Sequence, residues 1–163
     1  MSDTPAAFQA YWVRPEQSKV LGPTVPKTYG LPICAQAVFT AVPAVYIGGA
    51  AGTAVKTACA QIGKPYVFGT VGPSTFDCSG LTQYAWKAAG VSLTHYTGAQ
   101  WKQGSAVSKA DLRPGDLVFF YSDLHHVGMY VGNNLMVHAS RAGVPVRMAR
   151  IDTMPYMGAR RPG

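Results

Sequence analysis

Phe76-Asp77-Cys78-Ser79-Gly80-Leu81, followed by Thr82-Gln83-Tyr84-Ala85-Trp86-Lys87-Ala88-Ala89-Gly90, decides the fold of this chain. Leu81, Tyr84, Ala85 and Ala88 recur at the spacing of one helix face. Asp77 is a good N-cap type, and Gly90 stands where a left-handed glycine closes a helix. Cys78 therefore opens a helix. There the free backbone N–H groups and the macrodipole favour thiolate over thiol. A buried, inert cysteine is the ordinary alternative. The acidic cap, the flanking Ser79-Gly80 and a histidine-bearing strand downstream favour a working thiol.

That strand begins at His126. Residues His126 to Val131 alternate, with His126, Gly128 and Tyr130 on one face and Val127, Met129 and Val131 on the other. Gly132-Asn133-Asn134 is a turn, after which Leu135 to Ser140 alternate again and place Met136, His138 and Ser140 together. A three-residue loop pairs Gly128 with His138 and puts His138 on the face of His126; a two-residue loop turns His138 away. Asn134 tolerates the left-handed conformation that a three-residue loop requires. The expectation is the longer loop, with His126 as base to the Cys78 thiol and His138 orienting the His126 ring.

His125 has the opposite strand parity and is expected at the rim or in solvent, and His95 on the surface after the cysteine helix. The spacing offers no C-x-x-C and no paired histidines of metal-site type, so no metal and no cofactor are expected.

Four runs then stand in order: Gly63-Lys64-Pro65-Tyr66-Val67-Phe68-Gly69, Asp77-Cys78-Ser79-Gly80-Leu81, Leu112-Arg113-Pro114-Gly115-Asp116-Leu117-Val118-Phe119-Phe120 and His126-Val127-Gly128-Met129-Tyr130-Val131-Gly132. From about Val55 to Arg150 the chain resembles the NlpC-type bacterial cell-wall cysteine endopeptidases, which have a papain-like core. The resemblance implies Cys78 as nucleophile, His126 as base and His138 as the third polar residue. It implies Tyr66 beside the nucleophile, with Asp77 and Ser79 lining the cleft and holding polar ends of the substrate. The implied reaction is hydrolysis of the γ-D-glutamyl–diamino acid amide, usually to meso-diaminopimelate, in peptidoglycan stem peptides. Two departures touch the cleft walls: Phe68-Gly69-Thr70 where the family often has Trp-Gly-Gly, and Leu93-Thr94-His95 where it often has Leu-Pro-Arg. An acyltransferase would use the same residues; a wall-binding or virion structural module of the same fold is the other alternative, against which the intact Cys78, His126 and His138 set argues, since a pure binder needs no thiolate.

Composition agrees with one compact catalytic unit. The chain has 163 residues, 48% of them hydrophobic, and a net charge of +7. No Lys/Arg run or nucleic-acid reader motif accompanies that charge, so an anionic wall polymer is the expected partner and nucleic acid is not. A monomer acting outside the cell or in the wall is expected. No secretory leader is visible, and a phage origin is one delivery route.

The first 53 residues are proline-rich and are expected to be an arm and linker, with residues 54–163 forming the peptidase domain. Thr28 to Val55 carries no charge, but Pro32, Pro43 and Gly48-Gly49 interrupt it, which argues against a membrane helix. Cys34 and Cys59 could pair; two buried free thiols are the simpler expectation. A short helix over 53–62, the cysteine helix and a meander of strands near 117–121, 126–131, 135–140 and 144–149 give an α+β fold. The cysteine helix is expected on the sheet face that bears His126 and His138.

Overall fold

The computed structural model describes Cys34 and residues 49–163. Helix α1 spans Gly49–Ala60, α2 Cys78–Ala88 and the short α3 Thr97–Gln100. Six strands follow: β1 Ser105–Val107, β2 Leu117–Phe120, β3 His126–Gly132, β4 Leu135–His138, β5 Arg147–Arg150 and β6 Tyr156–Arg161. They form one antiparallel sheet in the order β1-β6-β2-β3-β4-β5. The α+β class is as expected.

Helix α1 begins at Gly49, so Gly49 to Gly52 are helical and not linker. The proline-rich arm before it lies outside the described residues, apart from Cys34, which is joined to Cys59 of α1 by a disulfide. The expectation of two free thiols is thereby corrected. The Cα atoms are 5.1 Å apart, a separation that sequence spacing alone could not disclose.

The sheet divides the core in two. Helices α1 and α2 cover the face made by Leu117, Phe119, Val127, Met129, Val131 and Val137, with Leu81, Ala85 and Trp86 facing it from α2. Trp86 donates its indole N–H to the Gly115 carbonyl at 3.1 Å, which gives the one polar atom of a buried ring a partner. Val118, Phe120, Met136, Ile151 and Ala159 form a second cluster behind the sheet. His126 pairs with Phe120 and shares its face, and Gly128 lies against the side chains of Met136 and His138. The two histidines thus belong to the face opposite α2, contrary to expectation. Alternation fixes which residues share a face; the burial of Val127, Met129 and Val131 decides which face the helix covers.

The β3–β4 hairpin resolves the loop question in an unexpected way. Its turn is the two-residue Asn133-Asn134, both left-handed at φ 53° and 63°. A bulge near Val131 restores the register, so that Met129 faces Val137 and Tyr130 faces Met136. The loop is one residue shorter than expected, yet His138 still comes to the face of His126.

Strands β1 and β6 were absent from the expected meander. They pair with each other and, through β6, with β2. Arg161 of β6 makes two hydrogen bonds to the Asp116 carboxylate, at 2.8 and 2.9 Å, and so ties the last strand to the turn before β2.

Candidate active site

The first turn of α2 is held by one carboxylate. Asp77 sits in extended backbone, and its side chain accepts from the Gly80 N–H at 2.7 Å and the Gly69 N–H at 2.8 Å. Its Oδ1 also lies 2.8 Å from His95 Nε2 and 3.5 Å from the Ser79 hydroxyl. Gly80 is required by close approach, since a Cβ there would lie 2.0 Å from the Thr70 carbonyl oxygen. Behind this turn the buried Gln100 donates to the carbonyls of Ser79 and Thr94 and accepts from the Thr82 hydroxyl.

Cys78, the one free cysteine among the described residues, is half-buried at the tip of that helix. Burial pushes its thiol above the usual range, and the neighbouring Asp77 charge adds to this. The Val127 N–H, with those of Ser79 and Cys78 itself, pulls the other way. Burial outweighs the helix terminus and favours the thiol over the thiolate that the helix position alone suggested. The Val127 contact brings the sulfur to the start of β3, where His126 is the preceding residue.

His126 Nε2 is 2.8 Å from His138 Nδ1, with the rings edge to face. Burial holds both imidazoles below the ordinary histidine range and therefore neutral; repulsion from His125 works the same way on His126, and that from His126, Arg147 and Arg141 on His138. Gly128 makes the approach possible: a Cβ there would meet the Met136 sulfur at 2.6 Å and the His138 Cβ at 3.2 Å. Nε2 is the ring nitrogen of His126 that His138 engages.

The other expected residues divide. Tyr66 is half-buried within electrostatic reach of Cys78 and Asp77; burial raises its hydroxyl first, and the two charges add to it. Asp77 and Ser79, expected to line the cleft, are buried, and the Asp77 carboxylate is occupied by the loop, the helix and His95. His125 is exposed, stacked on Tyr121 and hydrogen-bonded to Asp123. His95 was expected on the surface but is bonded to the helix cap, and Gln100 was not anticipated at all. Neither position carries a sequence signal, because both act by reaching a segment about twenty residues away in the chain. The rim near the helix start is apolar, with Phe68 at 85% and Tyr96 at 64% exposure.

A thiol at a helix start and a buried histidine pair on the strands beside it are the kinds of group that thiol acyl transfer uses, and the comparisons with known proteins agree on the family. Residues 63–160 match the NlpC/P60 family. The chain belongs to the NlpC/P60 family. It is similar to a probable endopeptidase of Mycobacterium tuberculosis, 45% identical over 115 residues, which is 70% of this chain and 30% of that protein. The chain thus spans under a third of the length of that curated relative. Among solved structures it resembles an NlpC/P60 family protein from Bacillus cereus, with TM-score 0.65 and 36% identity over 68% of this chain and 39% of that one. It also resembles the NlpC/p60 domain of the peptidoglycan hydrolase SagA, with TM-score 0.63 and 31% identity over 68% of this chain and 97% of that one. The core is the papain-like NlpC/P60 fold. Among the described residues no helix is long and apolar enough to cross a membrane.

Proposed function

We propose that this NlpC/P60 chain is a cell-wall cysteine endopeptidase that hydrolyses the γ-D-glutamyl–diamino acid amide, typically to meso-diaminopimelate, in peptidoglycan stem peptides. The observation that carries the proposal is the His126–His138 pair, 2.8 Å apart, at the strand start where the Cys78 thiol meets the Val127 N–H. The names of the relatives, endopeptidases and a peptidoglycan hydrolase, support the substrate class. The excess of basic over acidic residues suits an anionic wall polymer.

In the proposed cycle the Cys78 sulfur attacks the amide carbonyl as its proton passes to His126 Nδ1. The C–N bond breaks, His126 gives that proton to the departing amine, and a thioester remains on Cys78. A water then loses a proton to His126 and attacks the thioester, which releases the γ-D-glutamyl carboxylate and restores the thiol. The Cys78 backbone N–H, which has no helical partner in the first turn and lies toward its own sulfur, stabilises the oxyanion; such a donor typically contributes about 10²–10³ in rate. His138 holds the His126 ring. Tyr66, beside the sulfur, contacts the reacting carbonyl or its neighbours. Asp77 shapes the helix start, and its full set of partners favours positioning over direct contact with substrate. Ser79 completes that turn.

The test is digestion of purified peptidoglycan. New amino termini on the diamino acid are expected, with no new reducing sugar ends, and the amino termini should be absent with Cys78→Ala. Reducing ends released equally by wild type and Cys78→Ala would sink the proposal.

A further inference from the structure

Among the described residues four buried side-chain atoms have no hydrogen-bond partner, and three of them belong to one corner of the sheet: His138 Nε2, Ser140 Oγ and Arg147 Nε. The register explains their gathering. Arg147 stands directly opposite His138 on β5, so the two side chains share a face. Ala139 packs with Val137 in the helix-side core, so the alternation continues past the end of β4 and returns Ser140 to the face of His138. The bridge between Arg141 and Val144 keeps the same register, which sets Ser140 opposite Pro145, a residue with no N–H to offer.

Proton accounting gives this corner a task. One proton lies between His126 Nε2 and His138 Nδ1. For His126 Nδ1 to accept the Cys78 proton, that shared proton must sit on His126 Nε2, and the proton of the neutral His138 ring must then sit on its Nε2. That N–H is buried and needs an acceptor. The Arg147 guanidinium has no lone pair. If Arg147 instead donated to an unprotonated His138 Nε2, the shared proton would move to His138, and His126 would carry its own on Nδ1, unable to serve as base. Of the three unpartnered groups only the Ser140 oxygen can accept, and its two lone pairs can take both N–H groups.

We propose that Ser140 is a positioning residue, accepting the His138 Nε2–H through one bridging water and so fixing His126 as the Nε2–H tautomer in a Cys78–His126–His138–Ser140 chain. This rests on the assignment of Cys78 and His126 above. The wrong tautomer is costly: in the serine-protease triad it lowers kcat by about 10⁴.

Two readouts test it. Long-range ¹H–¹⁵N correlations of the imidazoles at neutral pH, without substrate, are expected to show His126 as Nε2–H in the wild type. Ser140→Ala should shift it toward Nδ1–H, and Ser140→Thr, which keeps the hydroxyl, should restore it. The kcat/KM for a stem peptide should fall about tenfold or more in Ser140→Ala and recover in Ser140→Thr. A wild type already in the Nδ1–H form, or a Ser140→Ala variant with the wild-type tautomer whatever its activity, overturns the proposal. Absence of stem-peptide cleavage by the wild type would count against the peptidase assignment, while the tautomer comparison would still decide the role of Ser140.

Discussion

At the scale of single residues, the proposed mechanism passes one proton between two groups that burial keeps neutral. Because burial raises the Cys78 thiol, the thiolate accumulates only as pH rises. Alkylation of Cys78 by iodoacetamide should therefore accelerate with pH, with a midpoint above the roughly 8.5 of an unperturbed thiol. A rate already at plateau near neutrality would show a preformed ion pair instead. His126→Ala should abolish turnover, whereas His125→Ala, at an exposed ring stacked on Tyr121, should leave kcat within about twofold. Equal losses in peptide-release assays of the two variants would contradict the assignment of His126. Strand parity made the histidine pair legible in the sequence, whereas turn chemistry gave a loop one residue too long and the bulge near Val131 restored the register. The bonding of His95 to Asp77 was not, because no local pattern announces a contact between a loop residue and a helix cap.

At the scale of elements, the start of α2 depends on Asp77. An N-cap is typically worth about 0.5–2 kcal/mol, and this one also fixes the Gly69 loop. Asp77→Ala should cost about 2 kcal/mol or more in urea unfolding and lower kcat/KM as Cys78 loses its fixed place. A variant as stable as wild type would show that the cap is dispensable. At the other end of the chain, Asp116 is almost wholly buried while a third of the Arg161 side chain is exposed. Arg161→Ala should cost roughly 2–4 kcal/mol, below the figure for a fully buried pair. The helix, its caps and the strands from 117 to 150 were readable because each is a local period closed by a local turn. Strands β1 and β6 pair across about fifty residues, and short edge strands such as Ser105–Val107 leave too few alternations to detect.

At the scale of the whole molecule, the buried neutral histidines make stability depend on acid. Their folded-state affinity for protons is lowered, so on acidification the unfolded chain binds protons first, from about pH 6.5 downwards. Stability should be intact above that pH and fall progressively below it, before the carboxylates begin to titrate. Urea midpoints measured between neutral pH and about pH 4.5 check this, and His138→Gln should flatten the decline. Midpoints unchanged over that interval would mean that both histidines are charged in the folded state.

The disulfide between Cys34 and Cys59 bears on how the protein is made and handled. It closes a loop of 25 residues and, on the chain-entropy account, contributes about 3–4 kcal/mol. Such a bond persists in an oxidising compartment and is lost in a reducing cytoplasm. Material folded under the two conditions would be two different reagents: one presents a single thiol, Cys78, and the other presents three, on a less stable chain. Labelling and activity therefore carry the redox history of the preparation, and only the oxidised form reports on Cys78 alone.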